Sequence, residues 1–340
     1  MPRQARIDAP NALHHIIARG IERGKIFQDD ADCEGFLRRL GNLIEQTETR
    51  CHAWALMPNH FHLLLKTGTV PIATVMGRLL TGYAVGYNRR HRRSGHLFQN
   101  RYKSILCQED AYLKELVRYI HLNPLRAGLV GDLQALDRYP YAGHSVIMGR
   151  NRREWQTTGA VLALFSGDAS QARRMYHDFV AAGIPLGRQP ELIGGGLIRS
   201  TGGWEGVKML RNEGRSQKSD ERILGNGDFV KSVLADAEES MARHDALKAK
   251  GISLDRLQQI VASLTMIRPE ELVGPAKARN VGRARALFCY WAVRKLGHSM
   301  TDVAKRLEIS LPTVSVAVPK GERIVRDAGW GLEEHLNVKI

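Results

Sequence analysis

Two histidines separated by one residue, His60 and His62, stand in the run Met57-Pro58-Asn59-His60-Phe61-His62-Leu63-Leu64-Leu65. On a β-strand, residues i and i+2 share a face, so two imidazoles at this spacing can hold one metal ion. Thirteen histidines in 340 residues supply about half of one such pair by chance. Alone, two strand histidines are ordinary polar strand residues, and the pair takes its meaning from its companions. The strongest of these are Tyr119 and Asn123. A helix opening at Asp110, a good N-cap, puts Leu113, Leu116, Val117 and Ile120 on one apolar stripe. At about 100° per residue, Tyr119 and Asn123 lie one turn apart along the border of that stripe.

A phenol, with a pKa of about 10, is a poor nucleophile at neutral pH. A cation that polarises a phosphate and stabilises developing charge answers that weakness. Two neutral imidazoles plus an amide oxygen, with water and phosphate oxygens completing the shell, suit Mg2+ or Mn2+, whereas a closed structural zinc site wants four protein ligands. The combination therefore points to phosphodiester chemistry, with Tyr119 as nucleophile and His60, His62 and Asn123 as metal ligands. Tyr112 lies on the same helix, but its i+4 neighbour is Leu116, which cannot bind a metal; Tyr83, Tyr87 and Tyr102 lie outside this helix.

The elements that must position these residues follow from apolar periodicity. A strand is expected at His14 to Arg19, a helix at about Ala31 to Gln46, and two antiparallel strands at His52 to Met57 and His60 to Lys66, joined at Pro58-Asn59. In the second strand Phe61, Leu63 and Leu65 form a core face, and His60, His62 and Leu64 form the other. A helix at about Ile72 to Tyr87 and a strand at His96 to Leu106 complete the order β-α-β-β-α-β, which is ferredoxin-like. His14 and His15 stand on the first strand, where at most one can share the site's face; both read as satisfied strand histidines.

Beyond this domain, 131–175 reads as loop plus short helix, and the glycine-rich stretches around Gly194, Gly195, Gly196, Gly202 and Gly203 read as linker. The glycines lack the Lys-Ser/Thr ending of a phosphate loop. Helices are expected at Asp228 to Ala242, Leu254 to Leu264 and Ala284 to Leu296, with two shorter ones after Ser299. Thr301 to Ser315 reads as helix, turn and recognition helix, with Thr313 and Ser315 as candidate base-reading residues. Pro312 and Pro319 argue against a long uninterrupted recognition helix. The fold class is thus α+β: a ferredoxin-like domain over 1–130, a helical and loop extension with a linker over 131–225, and a helical DNA-binding domain over 226–340.

A formal net charge of +15 and a pI near 9.9 favour a polyanionic partner, nucleic acid ahead of membrane. Arg89, Arg90, Arg92, Arg93, Arg101 and Lys103 surround Tyr87, Phe98 and Tyr102, a pattern suited to following a phosphate backbone while stacking bases. Apolar runs are short and the N-terminus lacks an apolar signal core, so a cytoplasmic, nucleoid-associated protein is expected. Cys33, Cys51, Cys107 and Cys289 form no Cys-x-x-Cys pair and read as buried, reduced packing residues.

The run Met57 to Leu65, then Tyr87-Asn88-Arg89-Arg90, Gly95-His96-Leu97-Phe98-Gln99-Asn100-Arg101-Tyr102-Lys103, and Arg118-Tyr119-Ile120-His121-Leu122-Asn123-Pro124-Leu125-Arg126-Ala127-Gly128, resemble REP-associated tyrosine transposases, a family of the HUH single-strand nucleases. The resemblance covers roughly residues 1 to 150. It implies a metal-dependent single-tyrosine enzyme that cuts single-stranded DNA near hairpin-forming repeats, leaves a 5′-phosphotyrosine and can rejoin the strand, as a monomer or homodimer. Carried over by position, Tyr119 is the nucleophile, His60 and His62 bind the metal, and Asn123 is the third ligand. The tail, with Arg283 to Ala292, resembles more loosely the DNA-binding domain of bacterial replication initiators, which implies contact with duplex DNA; the alternative is a small helical protein-interaction domain. A second reading of the whole chain is a domesticated, non-catalytic DNA-binding regulator on the same scaffold. An RNA-binding ferredoxin-like module would carry exposed aromatics on its central strands, and in His60 to Lys66 only Phe61 is aromatic, on the core face.

Overall fold

Alternating apolar residues in the first hundred positions build the sheet that carries both histidines. The computed structural model describes residues 7, 9, 11–68, 70–187, 189, 192, 220–236, 252–274 and 278–335, and the chain divides into two compact units, 1–234 and 235–340. In the first, β1 (Leu13–Arg19), α1 (Asp30–Thr47), β2 (Arg50–Met57), β3 (His60–Lys66), α2 (Ile72–Arg90) and β4 (Lys103–Cys107) follow the ferredoxin-like order. Then come α3 (Glu109–His121), α4 (Asn123–Arg126), α5 (Leu133–Arg138), α6 (Gly143–Ile147), α7 (Thr158–Leu162), α8 (Ala169–Ala182) and a two-residue β5 (Ile223–Leu224). The sheet order is β2-β3-β1-β4-β5, antiparallel except that β5 runs parallel to β4.

The sheet serves two cores. One face, with Ile16, Ala18, Trp54, Leu56, Phe61, Leu63 and Leu65, packs with Phe36, Leu37 and Leu40 of α1 and Met76, Leu79 and Tyr83 of α2. The other, with Leu13, Ala53, Ala55, Met57, Leu64 and Ile105, packs with Leu113, Leu116, Val117, Tyr119 and Ile120 of α3. The histidine face is therefore buried as well, and each large aliphatic side chain that α3 contributes removes apolar area worth about 1.5–3 kcal/mol. Helices α5 to α8 extend this second core through Leu136, Ile147, Val161, Tyr176 and Val180.

Several expectations shift. β4 begins at Lys103 rather than His96; residues 96–102 form a loop that joins the end of β1 through a bridge between Phe98 and Gly20. Asp110 is not the N-cap of α3, which starts one residue earlier with Gln108 at the cap position and no side-chain cap. Where loop plus a short helix was expected over 131–175, three short helices and the first half of a longer one pack onto the core. The glycine-rich linker residues 194–196 and 202–203 lie outside the described residues, as does the second part of the helix expected at Asp228 to Ala242; its first part is helical over 227–236.

The second unit is helical: α9 (Leu254–Thr265), a 3-10 turn (Pro269–Leu272), α10 (Arg279–Tyr290) running into a π-turn (Trp291–Lys295), α11 (Met300–Leu307), α12 (Leu311–Ala328) and α13 (Leu332–His335). Its core gathers Leu257, Val261, Leu287, Phe288, Trp291, Val303, Leu307, Val314 and Val318. The two prolines do not break α12. Pro312 sits in its first turn, where no N–H is needed, and Pro319 is accommodated inside the helix, withholding only the N–H that would reach the Ser315 carbonyl. A Cβ at Gly321 would stand 1.9 Å from the Ala286 carbonyl oxygen, so α12 crosses α10 at backbone contact. The four cysteines are free and buried. Among the described residues no helix is long and apolar enough to cross a membrane.

Candidate active site

Register places the site. His62 pairs with Ile17 of β1 and Ala55 of β2, and His60 pairs with Arg19 and Met57. Because side chains alternate, His15, Ile17 and Arg19 share the face of His60 and His62. The His15 and His62 rings stack with centroids 5.2 Å apart, and His15 Nε2 and His62 Nδ1 share a hydrogen bond of 2.9 Å. The His60 ring lies 5.4 Å from that of His62. Tyr119, buried on α3, meets His62 edge-on at 5.9 Å and His15 at 6.0 Å. The tyrosine and the histidine pair are thus brought together on one face, along with a third histidine that sequence reasoning set aside. The usable signal for His15 was its parity with Arg19, which became informative only once the β1–β3 register was known.

Asn123 starts α4, two residues past the end of α3, not on one continuous helix with Tyr119. Pro124 explains the break: it has no N–H for the Ile120 carbonyl, and the Asn123 side-chain amide donates there instead at 3.3 Å, and to the Tyr119 carbonyl at 3.0 Å. With its NH2 committed to backbone, the Asn123 carbonyl oxygen is the atom left to act as a ligand. Arg126, also on α4, holds its guanidinium 5.4 Å from the Tyr119 ring centre, within cation–π range.

Burial, with help from the Arg19 charge, pushes His60 down to about 4. Burial, followed by the neighbouring His15, His60 and Arg19, holds His62 well below the usual imidazole range. Both are neutral at pH 7, the form in which imidazole binds metals. His60 Nδ1 donates to Asn59 Oδ1 at 2.7 Å, which leaves Nε2 with its lone pair; His62 Nδ1 shares its hydrogen bond with His15 Nε2, and the tautomer in which His62 Nδ1 donates leaves its Nε2 lone pair available. Ligating histidines are oriented in this way by the partner of their other nitrogen. The donor set fits a hard divalent cation. Among the described residues no group of three or more His, Cys, Asp or Glu side chains is arranged to hold a metal.

The competing tyrosines lie elsewhere. Tyr83 and Tyr87 belong to the opposite core and donate to the carbonyls of Ile26 and Lys25; Tyr102 is buried in the same core. Tyr87 and Tyr102 therefore cannot stack bases as the charge pattern suggested, and Phe98 is only partly buried against that core. In the basic cluster, Arg89, Arg92 and Arg101 are exposed. Arg90, also exposed, is tied to Asp29 and Asp32 at 2.6 Å each, which answers part of its charge within the protein. Arg93 donates to Asn88 Oδ1 at 3.1 Å and to the His96 carbonyl at 3.2 Å. Lys103 pairs with Ile17 and so shares the face of His62. In the second unit Thr313 and Ser315 are exposed on the first turns of α12, where the Ser310 hydroxyl accepts from the Thr313 N–H at 3.4 Å.

A histidine pair and a helix tyrosine thus stand together on one face of a ferredoxin-like sheet in the first unit. Residues 9–123 match the family model of IS200-like transposases, a span that takes in β1 to β4, the histidine pair, Tyr119 and Asn123. Among solved structures, the chain is similar to a REP-associated tyrosine transposase bound to a REP hairpin, at 14% identity and a TM-score of 0.37, over 50% of this chain and 93% of that one. No curated protein matches the chain.

Proposed function

We propose that this protein is a transposase that nicks single-stranded DNA beside hairpin-forming repeats and transfers the strand through a 5′-phosphotyrosine on Tyr119. The observation that carries the reading is the edge-on contact of the Tyr119 ring with His62, on the face that also holds His60. The Tyr119 oxygen attacks phosphorus and loses its proton; the P–O3′ bond breaks, and the departing 3′ oxygen takes up a proton. The ester to Tyr119 keeps the phosphodiester bond energy, so a later 3′-hydroxyl can reverse the step without ATP. His60, His62 and the Asn123 carbonyl oxygen would hold Mg2+ or Mn2+, which when bound polarises the phosphate and stabilises its developing charge. His15 orients His62, and Arg126 holds the face of the phenol ring. The net charge of +15 suits a nucleic-acid substrate, and Arg89, Arg92, Arg93, Arg101 and Lys103 are assigned to phosphates along the strand. The α11–α12 pair, with Thr313 and Ser315, is assigned to duplex DNA.

The test is cleavage of a labelled single-stranded oligonucleotide, carrying a palindromic repeat from beside the gene, with magnesium or manganese. Wild type cuts it. Tyr119→Phe binds it equally well and is slower by at least about a thousandfold, the scale expected when a nucleophile is removed. If Tyr119→Phe cuts as fast as wild type, the nucleophile is assigned wrongly. Retained hairpin binding with no cleavage by wild type favours the non-catalytic regulator.

A further inference from the structure

β1 is buried along most of its length and turns exposed at Arg19, directly across from His60. Cross-strand partners on one face hold their Cβ atoms about 4.5–5.5 Å apart, so the Arg19 side chain starts beside the histidine pair, on the face of Tyr119. Its backbone is fixed on both sides: the Gln99 N–H donates to the Arg19 carbonyl at 2.8 Å, and the Gly20 N–H donates to the Asn59 carbonyl at 2.8 Å. Arg90, Arg118, Arg153 and Arg222 each have a carboxylate partner. Among the described residues Arg19 has no ion pair and no side-chain hydrogen bond, although its charge is felt by both His60 and His62. An arginine with an unanswered charge, on backbone fixed beside two neutral imidazoles, is placed to meet an anion that enters from outside. The guanidinium fork matches phosphate oxygens in a way a lysine ammonium does not.

We propose that Arg19 is a further catalytic residue, which binds a non-bridging oxygen of the scissile phosphate and stabilises the charge gathering there as Tyr119 attacks. The proposal rests on the reading of His60, His62 and Tyr119 as a strand-cleaving site. It separates Arg19 from Lys103, which shares the face but lies two strands from His62 and contributes affinity for a flanking phosphate rather than rate. Removing one fixed donor to such charge costs about 100- to 1,000-fold in turnover.

The experiment compares full-length wild type, Arg19→Gln and Arg19→Lys on the repeat-hairpin oligonucleotide with manganese, measuring single-turnover cleavage, hairpin affinity and melting temperature. Arg19→Gln is expected to lose about 100-fold or more in cleavage rate, with affinity within threefold and an unchanged melting temperature; Arg19→Lys recovers part of the rate. The proposal is overturned if Arg19→Gln cuts within threefold of wild type, if the loss lies wholly in affinity, or if melting falls in step with activity. A wild type that does not cut overturns the cleavage reading and this inference together; a wild type that cuts alongside an unimpaired Arg19→Gln overturns this inference alone.

Discussion

His15 illustrates how a residue with no role of its own in the chemistry can set the quality of a site. Its ring lies under His62 and shares a hydrogen bond with it at 2.9 Å, so it decides which nitrogen of His62 remains available. Loss of such an orienting partner usually costs about 10–100-fold in metal affinity or activity. His15→Phe, which keeps the ring's bulk and removes its nitrogens, should raise the manganese concentration for half-maximal cleavage by about 10–100-fold. An unchanged manganese titration would show that His15 merely fills space. At this scale His60, His62, Tyr119 and Asn123 were legible because their spacings act within single elements or across one turn. His15 and Arg19 were not, since their relevance depends on the pairing of β1 with β3, a long-range register that local periodicity does not carry. Tyr87 and Tyr102 misled for a related reason: neighbouring arginines advertise a surface, while alternation with the α1–α2 core sends both rings inward.

Among elements, α3 carries Tyr119 and α4 carries Asn123, and what holds α3 is a buried polar chain from the later helices. His121, two residues past Tyr119, shares a hydrogen bond with the Tyr176 hydroxyl at 2.8 Å; the same hydroxyl meets His144 Nδ1 at 2.7 Å, and His144 Nε2 meets Asp137 at 2.8 Å. A Cβ at Gly143 would stand 2.8 Å from His121 Nε2, so α6 needs glycine to approach this closely. Tyr176→Phe leaves two buried imidazole nitrogens without a partner, at about 1–3 kcal/mol each. We expect the urea midpoint to fall by the equivalent of about 2–4 kcal/mol with the denaturant slope unchanged; a shift below about 0.5 kcal/mol would mean that the network adds nothing to stability. The helices of 131–182 escaped the sequence reading because most span two turns or fewer, too short for periodicity to register. The ferredoxin-like order was readable because its strands alternate cleanly and its helices exceed four turns.

For the molecule as a whole, charge and buried histidines set the response to conditions. Burial pushes His14, His52 and His60 down to about 4 and holds His62, His121 and His144 below the ordinary value as well. An unfolded chain takes up these protons near pH 6.5, while the folded chain resists until much lower pH. Between those limits the unfolded state binds more protons, so stability is complete above about pH 6.5 and is lost as pH falls toward about 4. Urea midpoints at pH 7, 5.5 and 4.5 should decline in that order; a flat series would contradict the burial of these rings. The second unit, with its own core, is assigned to duplex binding, so a chain ending at residue 234 should still cut the hairpin oligonucleotide while losing affinity for duplex DNA.

The most direct test of the central claim is to trap the covalent product. Wild type is incubated with the single-stranded repeat oligonucleotide and manganese, quenched in denaturant, digested, and the peptide bearing the nucleotide is located by mass spectrometry. A 5′-phosphotyrosine is expected on Tyr119 and none in Tyr119→Phe. An adduct on Tyr112 or any other tyrosine, or cleavage with no protein-linked strand, would contradict it.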